Sequence, residues 1–276
     1  MDTPRFISGF EVGSACDAGR KREGENQDRV EVVLPRESDV FPPLLLVADG
    51  MGGHLGGATA SQLVIETFKE NYLQAKHPTE LLRLLNTCAV KAHQSVREHV
   101  ASNRELADMG STLVAVALTQ RRAFTLNVGD SRAYVLRGNR VIQITQDQSV
   151  VADQVRAGLL TPEQARGHPK RNHLSMSITA KRTEIQPFAI DYPLEPDDIL
   201  VLCSDGLWDV LPETLILTTA SELSPQQAAD KLVALANDSQ GPDNISVVVA
   251  RRFNKDRKRV EVSMDETESR ESGSEL

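Results

Sequence analysis

Positive charge is in short supply in this chain of 276 residues: 31 Lys and Arg face 39 Asp and Glu, a formal net charge of −8. No dominant basic stripe offsets that balance, which excludes a nucleic-acid binder but leaves room for a phosphorylated partner at a local positive site. No uninterrupted apolar segment approaches the ~20 residues that a membrane helix needs. The opening stretch MDTPRFISGFEVG carries an early acid and lacks a long apolar core, so it does not read as a secretory leader. Cysteine is scarce as well. Cys16, Cys88 and Cys203 are an odd, scattered set, which predicts reduced, buried thiols in a cytoplasmic protein and not a disulfide framework. Walker A spacing and internal repeats are also missing.

What is present is an ordinary globular balance, with 40% apolar and 25% charged residues. The length fits one large domain or two small ones. The apolar period switches repeatedly between two and 3.6. Strand-like runs cover 29–34, 44–48, 112–118, 123–128, 133–137, 141–144, 199–203 and 245–250, and helix-like stretches cover 58–74, 80–101 and 225–237. Short connections between 112 and 144 imply hairpins and a largely antiparallel sheet, so an α+β layered domain is expected. Residues 147–183 stand apart, with two short helix-like pieces, a capped start at Thr161-Pro162-Glu163 and then a polar stretch. They read as a surface flap. The last residues, 254–276, are charged and Ser/Glu-rich and read as a tail outside the packed domain of 1–253.

Two apolar runs, LLLVADGMGGH at 44–54 and LVLCSDGLWDV at 200–210, stop at the same Asp-Gly pair. Asp-Gly is a favoured hairpin turn, but neither Asp49-Gly50 nor Asp205-Gly206 leads into a second strand by pattern. Three more aspartates mark strand boundaries: Asp130 ends AFTLNVGD, Asp243 precedes NISVVVA, and Asp28 precedes RVEVVL. Strand ends in a layered domain share a rim, and several close carboxylates there need protons or cations to neutralise them. All these donors are oxygens and no zinc-like spacing occurs, so the cations expected are Mg²⁺ or Mn²⁺. Glycines 50, 52, 53, 56 and 57 let backbone approach an ion or phosphate. A dinucleotide loop fits badly, because counting from Gly50 the G-x-G-x-x-G pattern requires glycine at Leu55. Arg20, Lys21 and Arg22 are either a solvated charge run or a phosphate grip. His54 reads as structural or as a proton donor, Trp208 as core packing and Asp209 as structural.

Together these motifs resemble the metal-dependent protein phosphatase family, the type 2C serine/threonine phosphatases, in its bacterial form. The matching pieces are GRKREGENQD, VADGMGGH, GSTLVAV, NVGDSRAYVLR, CSDGLWDVL and GPDNISVVV, in family order across about residues 10 to 252. Jointly they are specific; each alone is weak. The resemblance implies a four-layer α-β-β-α sandwich of two antiparallel sheets flanked by helices, with a flap sub-domain. It implies that Asp49 bridges two Mn²⁺ or Mg²⁺ ions, that the Gly50 carbonyl binds one, and that Asp205 and Asp243 complete the centre. Asp28 would act through metal-bound waters, and Asp130 would hold a third, weaker ion. The implied reaction is hydrolysis of phosphoserine and phosphothreonine in proteins by a metal-activated water, without a phosphoenzyme, opposing a bacterial Ser/Thr kinase.

Two departures stand out. The family's phosphate-binding arginine usually lies five positions before the residue matched by Asp28. Here that position is Glu23 and Arg22 lies six before, so Arg22 is the candidate if Gly24 is an insertion, with Arg20 and Lys21 open. In the flap, Gln148 stands where histidine is common, and SMSI replaces a frequent Thr-Arg-x-Leu. These departures are the only support for an alternative, a catalytically weak phosphoprotein-binding regulator on the same fold. A monomer is expected in either case.

Overall fold

Every residue of Leu44–Ala48 and of Ile199–Cys203 is buried, so each of these strands has a packed layer on both faces. The computed structural model describes residues 5–7, 9–21, 26–34, 41–75, 80–239, 241 and 243–252. Its strands are β1 (Arg5–Ile7), β2 (Phe10–Asp17), β3 (Arg29–Val33), β4 (Leu44–Ala48), β5 (Gly50–Met51), β6 (Gly110–Ser111) and β7 (Leu113–Thr119). They continue with β8 (Arg122–Val128), β9 (Arg132–Arg137), β10 (Arg140–Gln143), β11 (Ile178–Thr179), β12 (Phe188–Pro193), β13 (Ile199–Cys203) and β14 (Ile245–Arg252). The helices are α1 (His54–Gln74), α2 (Leu81–Ser102), α3 (Val150–Arg156), α4 (Pro162–Arg166), α5 (Asp205–Trp208), α6 (Glu213–Glu222) and α7 (Pro225–Asp238).

One antiparallel sheet runs β1-β2-β14-β13-β9-β10 and a second runs β12-β8-β7-β4-β3; a short third sheet, β11-β6-β5, lies beside them. The period-two alternation of strand side chains sorts the core into three layers. Leu45 and Val47 of β4 meet Leu200 and Leu202 of β13 and Val248 of β14 between the two sheets. The opposite side of β4, Leu44 and Leu46, packs under Val64 and Phe68 of α1 and Leu85 and Cys88 of α2. The opposite side of β13, Ile199 and Val201, packs under Ile216 of α6 and Leu232 of α7. Helices, sheet, sheet, helices: the sandwich is the expected α+β four-layer arrangement.

Several expectations need correcting. Gly50–Met51 is a strand after all, a two-residue piece paired with Gly110–Ser111 instead of the return of a hairpin. Helix α1 begins at His54, four residues before the periodic signal, because Gly56 and Gly57 carry no apolar side chains to mark it. Strands β2 and β12 and helix α6 lacked a clear pattern. Cys88 and Cys203 are buried free thiols, whereas Cys16, near the end of edge-ward β2, is exposed. Within 147–183 the two short helices are present as α3 and α4, and α4 starts with a Thr161–Gln164 capping box. The charged segment 254–276 lies outside the described residues.

Candidate active site

The five strand-end aspartates share one rim. Asp49 follows β4, Asp205 follows β13 after Ser204, Asp130 follows β8 after Gly129, and Asp28 and Asp243 precede β3 and β14. The charge of Asp49 is felt against Asp28, Asp205, Asp130 and Asp243 alike. These groups come from positions as far apart as 28 and 243, and the two sheets bring them to one end of the sandwich.

Close backbone approach is what allows it. A Cβ on Gly50 would stand 2.1 Å from the Gly57 carbonyl oxygen and 2.5 Å from that of Gln27. A Cβ on Gly206 would stand 2.0 Å from the Asn244 carbonyl oxygen. Both Asp-Gly pairs therefore exist because their glycines let neighbouring backbone press against the aspartate turn.

A polar frame holds the carboxylates. The Thr112 N–H donates to the Asp49 carbonyl at 2.8 Å, the Asp49 N–H donates to Thr112 Oγ1 at 3.0 Å, and the Ser111 hydroxyl donates to the Asp49 carbonyl at 3.0 Å. The Ser204 hydroxyl donates to Asp28 Oδ2 at 2.6 Å while accepting from the Ser246 N–H at 3.0 Å. Asn244 ties the Gln27 N–H to the Ala18 carbonyl and donates its own N–H to Asp243 Oδ1 at 2.7 Å. Ser204 and Asn244 carried a signal that went unused: each sits next to a rim aspartate in sequence. Thr112 did not, since its partner is 63 positions away.

The charge of this arrangement has to be neutralised, by protons or by cations. Asp28 is 1% exposed, and its buried Oδ1 has no hydrogen-bond partner among the described residues. Burial pushes its carboxyl up to about 7 from 3.8, the charges of Asp205 and Asp243 push the same way, and the Ser204 hydroxyl opposes them. Part of Asp49 faces solvent, yet its carboxyl is packed round by protein. Burial first, then Asp28 and Asp205, hold it well above the carboxylate range. Asp130 is likewise raised, by burial and then by Asp205 and Asp147, against the opposing charge of Arg132. Among the described residues no three His, Cys, Asp or Glu side chains already stand as a ready cage for one ion. The donor set, all hard oxygen and including a buried Asp28 oxygen without a partner among the described residues, fits Mg²⁺ or Mn²⁺.

The basic candidates are divided. Arg22 lies outside the described residues. Arg20 pairs with Asp238 at 3.0 Å on the surface, and the Lys21 N–H donates to the Gly241 carbonyl. Asp209 pairs with Arg171 of the 147–183 segment at 2.8 Å. Gln148, in place of the usual histidine, accepts from the Gly129 N–H at 2.9 Å and donates to the Gln186 carbonyl at 2.8 Å. Trp208 is half-buried and not plain core, with its N–H on the Asp130 carbonyl at 3.0 Å. A cleft of about 1090 Å³ opens beside the rim, reaching Asp130 and Asp205 and bordered by Arg132, Trp208, Arg171 and Asp209.

Fold and rim together describe a cluster of buried carboxylates at one end of a two-sheet sandwich. Residues 17–236 match the family model described as protein phosphatase 2C. The chain is 35% identical over 246 residues to the serine/threonine phosphatase stp of Listeria welshimeri, covering 86% of this chain and 93% of that one. The solved structure of the Mycobacterium tuberculosis serine/threonine phosphatase PstP/Ppp superposes with a TM-score of 0.80 at 32% identity, over 89% of this chain and 99% of that one. A PstP catalytic domain solved with two manganese ions superposes at 0.77, with 32% identity over the same shares. The chain belongs to the protein phosphatase 2C family.

Proposed function

We propose that this chain is a metal-dependent phosphatase that hydrolyses phosphoserine and phosphothreonine in proteins. The observation that carries the reading is the meeting of five aspartates on one rim, with a buried Asp28 oxygen that has no hydrogen-bond partner among the described residues. Asp49, the Gly50 carbonyl, Asp205 and Asp243 would hold two Mn²⁺ or Mg²⁺ ions, Asp28 would act through water, and Asp130 would take a weaker third. Bound there, such ions acidify a water and neutralise charge on the phosphoryl oxygens.

The remaining work falls to the chain's own groups. Asp28 presents Oδ1 as an acceptor that can hold and orient a water, while Ser204 fixes its other oxygen. Arg22 would grip the phosphoryl group in bidentate fashion and align it for in-line attack. A water would form the new P–O bond as the bond to the serine or threonine oxygen breaks, its proton passing to that leaving oxygen, so no phosphoenzyme would form. Ser111 and Ser204 are fully buried within the frame, which leaves neither hydroxyl presented to a phosphoprotein as a nucleophile.

Residues 1–253 would form the catalytic domain, with 147–183 as its flap and 254–276 outside it. Among the described residues, no helix is long and apolar enough to cross a membrane. A cytoplasmic monomer opposing a bacterial Ser/Thr kinase, or acting on that kinase's targets, is the setting we infer.

The test is phosphate release from a phosphothreonine peptide with EDTA, Mg²⁺ or Mn²⁺. Turnover should need the metal and fall at least ~100-fold in Asp205→Asn, ~2.7 kcal/mol of lost barrier reduction. Folded, ion-binding wild type without turnover on any phosphoprotein would favour the binding-only regulator instead.

A further inference from the structure

Trp208 is the single tryptophan of the chain. It ends the short helix that Asp205 begins, so the two residues stand one helical turn apart on the same side. Its indole N–H donates to the backbone carbonyl of Asp130 at 3.0 Å. One side chain thus spans the two rim positions, covalently on the side of Asp205 and by hydrogen bond on the side of Asp130.

The indole is in turn held flat. The Arg132 guanidinium carbon lies 3.6 Å from its ring centroid. Arg132 is fixed by a forked bond to Asp147, with Nη2 to Oδ2 at 2.6 Å and Nε to Oδ1 at 3.0 Å, and by Nη1 donating to the Tyr134 hydroxyl at 2.9 Å. Arginine and aspartate are mostly shielded, with side chains 18% and 13% exposed. A planar fork stacked on an aromatic face and paired on its edge leaves the guanidinium little freedom.

The turn that carries Asp130 depends on this support. Gly129 sits at φ +101, and its N–H and carbonyl are held by Gln148. Trp208 holds the next residue from the opposite direction. Asp147 and Gln148 open the 147–183 segment, and Arg156 of α3 donates to the Asp147 carbonyl at 2.7 Å. The brace therefore runs from α3 through Asp147, Arg132 and Trp208 to both aspartates.

Resting on the metal-site reading above, we propose that Arg132 and Trp208 are positioning residues. Their stack, anchored by Asp147, holds Asp130 at a set distance from Asp205 and so sets the affinity of the ion that Asp130 takes. Neither residue need touch ion or substrate.

Two conservative variants separate positioning from general support. Trp208→Phe keeps a ring for Arg132 and removes the N–H; Arg132→Lys keeps the charge and removes the fork. Mn²⁺ binding to EDTA-stripped protein is measured by calorimetry, alongside melting temperature. In both variants the weakest class of bound Mn²⁺ should lose ~10-fold in affinity, the scale for losing a group that orients a ligand. The tighter Mn²⁺ should stay within ~2-fold of wild type. In Arg132→Lys, which keeps the tryptophan, Trp208 emission is followed as Mn²⁺ is added to both proteins, and its midpoint should move to higher Mn²⁺ than in wild type.

A wild-type isotherm in both variants would overturn the proposal. So would an equal weakening of every class in step with lower melting temperature, the signature of a merely structural role. Wild type that binds no Mn²⁺ at all would overturn the metal reading itself and this proposal with it, a result distinct from either of those.

Discussion

Replacing Asp28 by asparagine in protein stripped of ions with EDTA should reduce the pH dependence of stability. The Asp28 carboxyl is 1% exposed, and burial is the largest reason that its pKa rises to about 7 from 3.8. The folded chain therefore keeps a proton there that the unfolded chain releases near 3.8. Below 3.8 both states are protonated and the contribution is fully present. Above it the folded state binds more protons, so stability falls as pH rises, until the folded group itself ionises near 7. Between pH 5.5 and 8 the loss is about 2 kcal/mol, which for a chain of this size is ~4–8 °C in melting temperature. Thermal melts of both proteins at pH 5.5 and pH 8 in EDTA provide the measurement. The wild type should lose several degrees more than Asp28→Asn, whose isosteric amide has no proton to give up. Saturating Mn²⁺ should shrink or reverse the wild-type slope, because ion and proton compete for the same rim. Equal shifts in the two proteins, or a metal-free wild type that gains stability as pH rises, would refute the argument that buried carboxylates strain this rim.

Gly50→Ala should destabilise by ~1–3 kcal/mol and weaken Mn²⁺ binding, since its Cβ would meet two backbone carbonyls at 2.1 and 2.5 Å; unchanged melting and an unchanged isotherm would contradict that packing. Ser204→Ala removes the donor to Asp28 Oδ2 and the acceptor for the Ser246 N–H, and should cost ~1–3 kcal/mol in urea unfolding. Arg171→Ala breaks a pair whose side chains are 46% and 44% exposed, so stability should stay within ~1 kcal/mol of wild type. A larger loss would mean that the 147–183 segment leans on this contact more than exposure allows.

The parts of this molecule that were readable in sequence are those whose cause is local. Leu44–Ala48 and Ile199–Cys203 announce themselves because a strand covered on both faces has no polar position, and both were delimited to the residue. The aspartates that end such runs were readable for the complementary reason, that aspartate is out of place there without a ligand or a turn to justify it. Strand β2, FEVGSACD, was not readable, since its glycine and cysteine blur the period; Gly13 packs close against the first turn of α7, a tertiary reason. Helix α6, ETLILTTASE, is rich in β-branched residues, which disfavour helix on their own, and is held by Ile216 and Ala220 in the outer core.

The support around the rim is the least readable part, because each support is non-local. Thr112 reaches Asp49 across 63 positions, and Ser204 reaches Asp28 across 176. Gln148 shows the consequence most clearly. Against the family pattern it looked like the loss of a histidine. In the fold its amide oxygen accepts from the Gly129 N–H and its amide N–H donates to the Gln186 carbonyl, so it steadies the turn that presents Asp130 and ties that turn to the segment just before β12. A departure from a motif is thus a question about partners, and here the partners make Gln148 part of the same frame as Trp208, holding one turn from two sides.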